Sequence, residues 1–324
     1  DEQGNCTLRA YYNTEASLIK LKDGYAIEVM QYDASGNLKE SSCYDENGEK
    51  VQCADGYYQL TYTYDSKGNC IQEEGYLSAA CGIVQYTYND DNLVIQEKYL
   101  KSDGSPGTDE NGVFAYQYEY DAQGRWTKLM MLDSAGNPED AMGYAAREYQ
   151  YDENNNLIRT IDYGKDGVLS QELHTYDEKG DRVLTSHLDG AGNPLMTDDG
   201  AYVMRDYNDT GDVIRVSYYD TEGNPYLSHE GCASYVNTVD AMGNVTKVHY
   251  FGVDGNPTVA YGGYASGIRE YNAQGWKIRD SFYGLDGKLI DNEGGSPSII
   301  EYYYNDSGQE MMKIYYDSQG REVS

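Results

Sequence analysis

Short runs of alternating large and polar residues recur along the chain, and each ends in the same punctuation. "YTYD" (Tyr62 to Asp65), "YEYD" (Tyr118 to Asp121) and "YQYD" (Tyr149 to Asp152) place two tyrosines on one face of an extended strand. A Gly or Asn follows three residues after the Asp, as in "YDASGNLKE" from Tyr32 and "YYDTEGNPYL" from Tyr218. In D-x-x-G the Asp accepts a hydrogen bond from the backbone just downstream, and the Gly adopts positive φ without steric cost. The phrase therefore predicts a type I turn closed by a Gly bulge, with the flanking strands forming a β-hairpin.

The phrases have a register. Their opening residues are Tyr32, Tyr44, Tyr64, Tyr88, Leu100, Tyr120, Leu132, Tyr151, Tyr163, Tyr176, Leu188, Tyr207, Tyr219, Val239, Phe251, Tyr271, Tyr283, Tyr304 and Tyr316, and most gaps alternate between 12 and about 20. The true period is two phrases, tip A and tip B, near 32 residues, as in Tyr207, Val239 and Tyr271. Two units are short, Tyr64 to Tyr88 and Tyr151 to Tyr176, and both lose length between tip B and the next tip A. Elsewhere this arm carries Gly24-Tyr25, Gly56-Tyr57, Gly143-Tyr144 or Gly263-Tyr264, which predicts a third turn. Pro138, Pro194, Pro225 and Pro257 all fall in tip B, where a residue without an amide N–H suits an edge or a bulge. "NTEASLIKLKDG" (Asn13 to Gly24) has a helical composition but occupies an arm, and the register makes it non-helical.

These elements predict an all-β fold, a tandem array of about ten hairpin units across residues 1–324, elongated or wound as a sheet or solenoid, with no separate domains. The repeat is already running at residue 1 and stops just after Tyr316, without atypical capping units, so the chain reads as an excerpt from a longer array.

"YDxxGN" with a tyrosine two residues ahead resembles the YD repeats of bacterial RHS proteins, and the likeness covers nearly the whole chain. It implies a long wound β-sheet in a large surface or secreted protein, in some cases a shell around a toxin. A looser likeness, in Tyr218-Tyr219-Asp220 and Tyr315-Tyr316-Asp317, is to the hairpin repeats of cell-wall and glucan-binding proteins. The aromatic cages that those hairpins present lean on tryptophan at a fixed position, whereas Trp126 and Trp276 stand alone and out of register, which argues against choline binding.

Composition narrows the function. The chain has 37 Tyr but 3 Phe and 2 Trp, so its large apolar area comes from a residue with a polar tip, suited to half-buried strands. A formal charge of −31 repels phosphate backbones and anionic membranes, which argues against nucleic acid as a partner. No apolar run is long enough for a spanning helix, so no membrane insertion by this segment is expected. Six cysteines include no CxxC, and with four scattered histidines they offer no zinc spacing. Cys43 with Cys53 and Cys70 with Cys81 are near enough for local disulfides; free, partly buried thiols are the alternative.

Acidic residues such as Asp33, Asp65, Asp121, Asp152 and Asp177 are turn formers that repeat from unit to unit, so no unique catalytic constellation stands out. Calcium is the cofactor considered, because stacked acidic turns would gain from a divalent ion; "DYGKDG" (Asp162 to Gly167) begins like an EF loop but has Leu173 where a bidentate Glu belongs. Tyrosine rows are read first as a core ladder and second as a stacking surface for sugars or a protein, with Trp126, Trp276, Tyr58 and Tyr303 as candidate ligand contacts. The expectation is a non-enzymatic bacterial surface or secreted protein that presents an acidic, tyrosine-rich face to a protein or glycan. A carbohydrate-binding module and a structural spacer for a distal effector are the alternatives. An enzyme would require a unit that breaks the pattern around a pocket, and the short units at Tyr64 and Tyr151 are the places for it.

Overall fold

The computed structural model describes residues 1–290 and 297–323, and over these the chain is all-β: 22 strands, antiparallel wherever they pair, and no helix. It divides into two compact units, one of Asp1–Tyr149 with Asp162–Leu169 and the other of Gln150–Ile161 with Ser170–Ser324.

The turn chemistry explains the phrase. In the first unit the Gly36 N–H donates to Asp33 O (3.1 Å) and the Asp33 N–H to Asn37 O (2.9 Å), while Asp33 Oδ1 accepts the N–H groups of Ser35 (2.8 Å) and Asn37 (2.9 Å). Asn37 Nδ2 closes the ring on Asp33 Oδ2 at 3.0 Å. Asp220 is held in the same way by Glu222 and Asn224 in the second unit. The Asp is thus a template for its own loop, and the Asn of "GN" is its side-chain partner. Pairing slips by one residue just before the tip, between Gln31 and Tyr32 and between Asp206 and Tyr207, which is the expected bulge. Where Gly is replaced at a tip, Asn92 (φ 62°), Asn155 (φ 68°) and Ala16 (φ 60°) still take positive φ.

Consecutive hairpins join by short ladders, such as Arg215↔Val236, Val216↔Tyr235 and Ser217↔Ser234. A second link explains the excess of Tyr over Phe. The tip A hydroxyl donates to the backbone carbonyl that opens the return strand of the preceding hairpin. In the first unit Tyr64 reaches Leu38 O (2.8 Å), Tyr88 reaches Cys70 O (2.7 Å) and Tyr120 reaches Val94 O (2.7 Å). In the second, Tyr176 reaches Leu157 O (2.8 Å), Tyr207 reaches Arg182 O (2.9 Å), Tyr271 reaches Val245 O (3.1 Å) and Tyr304 reaches Lys277 O (2.8 Å). Val239 has no hydroxyl at this position, and Asn237 Nδ2 bonds Val213 O instead (3.1 Å).

Each arm folds as the prolines and glycines require. After tip B the ladder shrinks to one bridge, Leu132↔Pro138 in the first unit and Leu188↔Pro194, Tyr219↔Pro225 and Phe251↔Pro257 in the second. The third turn follows, with Gly56 N–H on Cys53 O (3.0 Å) and Gly263 N–H on Ala260 O (2.9 Å). Residues 13–24 form two such turns and no helix, as the register requires.

The tyrosine rows do pack as a ladder: Tyr99 meets Tyr116 edge-on at 6.1 Å in the first unit, and Tyr250 meets Tyr264 at 5.6 Å in the second. Strict alternation, however, does not describe burial near tip B. Ser41, Ser42 and Cys43 are buried in succession, as are Val216, Ser217 and Tyr218. Arm residues cover one side of these strand ends: Val51 and Cys53 pack with Cys43 and Tyr57, and Ala260 packs with Tyr218 and Tyr250.

Candidate functional site

The short unit opened by Tyr64 breaks the pattern. Its strand Cys70–Tyr76 runs through residues 77–82 directly into Ile83–Tyr88, with no tip B turn. The detour is made by a bulge against Tyr57–Tyr64, whose pairing jumps from Tyr57↔Tyr76 to Thr61↔Glu74. Gly75 sits in that bulge at φ 128°, where a Cβ would lie 2.1 Å from the Gln59 carbonyl oxygen. The missing arm leaves a groove of about 730 Å³ between the flanking arms, all within the first unit.

Asp55 stands on one wall and Asp109 and Glu110 on the other, while Tyr76, Tyr86, Tyr99 and Glu97 form the floor. No Lys or Arg borders it. Tyr99 Oη donates to Glu97 at 2.5 Å and Tyr118 Oη to the same carboxylate at 3.2 Å. Tyr76 donates to Glu73 (2.5 Å) and Tyr116 to Asp109 (2.6 Å). Burial, reinforced by these carboxylates, raises the pKa of Tyr76, Tyr86 and Tyr99, so the rings remain neutral donors. Burial also raises the Cys81 thiol on the groove floor, which disfavours the thiolate a nucleophile needs.

The other short unit makes a two-residue turn between Leu157–Gly164 and Gly167–Tyr176, beside a smaller hollow of about 380 Å³ bordered by Asp140, Lys165, Asp166 and Leu169. Its charges are mixed. The Asp162 carboxylate, which begins the EF-like stretch, is engaged by Arg147 at 2.6 and 2.9 Å. Among the described residues no group of three or more His, Cys, Asp or Glu is placed to hold a metal ion.

None of the four candidate ligand contacts borders the groove. Trp126 is half exposed and stacks on Tyr118 at 5.3 Å. Trp276 leans on Tyr304 at 5.5 Å and roofs Gly308, where a Cβ would lie 2.7 Å from its ring. That contact ties one tip to the next, a structural duty. Tyr58 and Tyr303 are exposed, and Tyr303 donates to Glu301 at 2.9 Å. All six thiols are free in this structure. Cys43 and Cys53 share one buried cluster, while Cys70 and Cys81 engage the carbonyls of Gln72 (3.5 Å) and Ile83 (3.6 Å).

No family model and no curated protein matches the chain. Among solved structures it is similar to a chain of the complex described as TcdB2-TccC3-Cdc42, at 14% identity over 98% of this chain and 17% of that one, with a TM-score of 0.47. A chain of the Photorhabdus luminescens Tc holotoxin pore shows 14% identity, the same coverages and a TM-score of 0.39. A porin-like protein from Bacteroides uniformis shows 12% identity over 78% of this chain and 86% of that one, with a TM-score of 0.23. The chain thus spans about a sixth, 17%, of each of the first two of these chains.

The groove was findable in the sequence as the place where the repeat loses length. The groove carboxylates Glu97 and Asp109 carried no distinguishing signal, because acidic residues are everywhere in this chain.

Proposed function

We propose that this chain is a non-enzymatic repeat scaffold of a bacterial surface or secreted protein, and that it binds a partner through the acidic, tyrosine-lined groove of the first unit. The observation that carries this reading is the groove itself. It is the hollow left by the missing arm, and it gathers the rings of Tyr76, Tyr86 and Tyr99 with the carboxylates of Asp55, Glu97, Asp109 and Glu110. A non-catalytic role is supported by the site chemistry: the phenols there spend their protons on carboxylates, and the Cys81 thiol is held back by burial. The YD phrase, with its likeness to RHS repeats, supports placing the array outside the cell.

The test is a binding screen of the chain against cell-wall fractions, mucin, matrix proteins and a glycan panel, repeated with Ala80→Trp. Ala80 borders the groove and is exposed, so the indole fills the hollow without entering the core. A saturable partner lost on this substitution is the expected result. A partner that binds both forms equally sends the site elsewhere, and no partner in any condition favours a spacer.

A further inference from the structure

The same side-chain slots can be compared between units. Glu97 lies nine residues after the tip A residue Tyr88, and Asp280 lies nine after Tyr271. Each accepts a hydrogen bond from the tyrosine two residues before the next tip A, Tyr118 in one case (3.2 Å) and Tyr302 in the other (2.6 Å). In the second unit this carboxylate and ring enclose an ammonium group: Lys277 Nζ is 2.8 Å from Asp280 and 4.5 Å above the Tyr302 ring, with Lys313 Nζ at 5.3 Å from that ring. A carboxylate, a ring and an ammonium also meet at other positions of the repeat in the first unit, where Lys128 meets Glu148 at 2.8 Å and sits 5.6 Å above Tyr163. At Glu97 the carboxylate and rings are present, and no Lys or Arg borders the groove they face.

We propose that the groove is completed by the ε-ammonium of a lysine on a partner protein. This rests on the groove being the partner surface. Four carboxylates, Asp55, Glu97, Asp109 and Glu110, line a concave site with no resident cation, and the tyrosine floor offers π faces to an alkylammonium. Lysine suits the shape because its four-carbon stem can lie along the apolar walls given by Leu77 and Val84 while its head reaches the floor. The occupant is a protein side chain and not a free amine because the hollow is an open trough between two arms, able to seat the chain on either side of the lysine.

The probe is a blocked Ala-Lys-Ala peptide, titrated into the full chain at low salt and followed by calorimetry and by ligand-observed NMR. We expect saturable binding, weakened at least about tenfold by ε-acetylation of the lysine and by raising salt to about 0.5 M, where charge interactions screen over a few ångströms. Two exposed-wall substitutions, Asp55→Asn with Glu110→Gln, are expected to weaken it at least about fivefold without touching the core. Glu97→Gln, which keeps the side chain's size and one of the two oxygens that accept from Tyr99 and Tyr118, is expected to do more. Acetylated peptide binding as well as the parent overturns the ammonium inference and leaves the groove reading intact. A screened partner that is lost in Ala80→Trp while the lysine peptide does not bind has the same meaning. Tighter binding of a free polyamine than of the peptide overturns the partner-protein source, and peptide binding unchanged by either Ala80→Trp or the wall substitutions overturns both readings.

Discussion

Removing the tip A hydroxyls should weaken the array in equal steps. Tyr207→Phe, Tyr271→Phe and Tyr304→Phe each keep the ring and delete one bond to a backbone carbonyl, at 2.9, 3.1 and 2.8 Å. A hydrogen bond of this kind contributes about 1 kcal/mol net, and each carbonyl then loses its partner at the strand opening. Two strands separate one tip A from the next, about 10 Å at the usual strand spacing, so the sites are far enough apart to add. The triple variant should lose about 3 kcal/mol, a large share of the 5–15 typical of a domain. For a unit of this size that is a fall in Tm of about 6–12 °C, read by far-ultraviolet circular dichroism or calorimetry. Tyr261→Phe is the control, since this tyrosine is 78% exposed and its change should stay within about 0.5 kcal/mol. Asn237→Ala should cost what one Tyr→Phe costs, because its amide serves the carbonyl that Val239 cannot reach, and adding Val239→Tyr should recover most of the loss. A triple variant that melts within about 2 °C of the parent, or no deeper than the Tyr261 control, would refute the hydroxyl staple.

Three further outcomes follow from the turns. Asp33, Asp65, Asp220 and Asp240 have their pKa values lowered from the ordinary 3.8 by hydrogen bonds from the Asn that closes each loop, so the stabilisation is complete above that value and is lost as pH falls through the lowered one. Urea midpoints should therefore be level from neutral pH to about 4 and then drop, and a level response down to pH 2 would count against the turns as acid-sensitive elements. Ala16→Gly should relieve a left-handed alanine and stabilise its turn by about 1 kcal/mol, seen as roughly fivefold slower exchange of the Asn13 amide. Gly75→Ala should cost several times the ~1 kcal/mol of Gly36→Ala, since both have positive φ but only Gly75 faces a carbonyl at 2.1 Å; equal urea midpoints for the two would remove the bulge from the account of the groove.

What could be read in the sequence was whatever repeats. Asp33, Gly36 and their copies named the turn, Pro225 and Pro257 named the place where pairing stops, and the short spacing after Tyr64 named the unit that breaks the pattern. The destination of the tyrosine hydroxyls was not legible, because a backbone carbonyl about 26 residues upstream carries no side-chain identity to mark it. Successive burial of Ser41, Ser42 and Cys43 was hidden for a related reason: alternation is a property of one strand, and the cover on the second side comes from an arm whose path depends on Val51 and Cys53.

The composition then has a physical cause. A phenylalanine at tip A would fill the same volume and leave the preceding strand's first carbonyl without a donor, and each further repeat would multiply the loss. Near tip B the demand is reversed, since Met131 and Phe282 occupy the position that Tyr218 and Tyr250 hold elsewhere. The tyrosines at tip A are therefore required where hairpins are fastened to one another, and the demand is relaxed near tip B, where arms supply cover. In the unit after Tyr64 the arm is absent while the tyrosines and carboxylates beneath it remain. The groove is what this fold exposes when one cover is taken away.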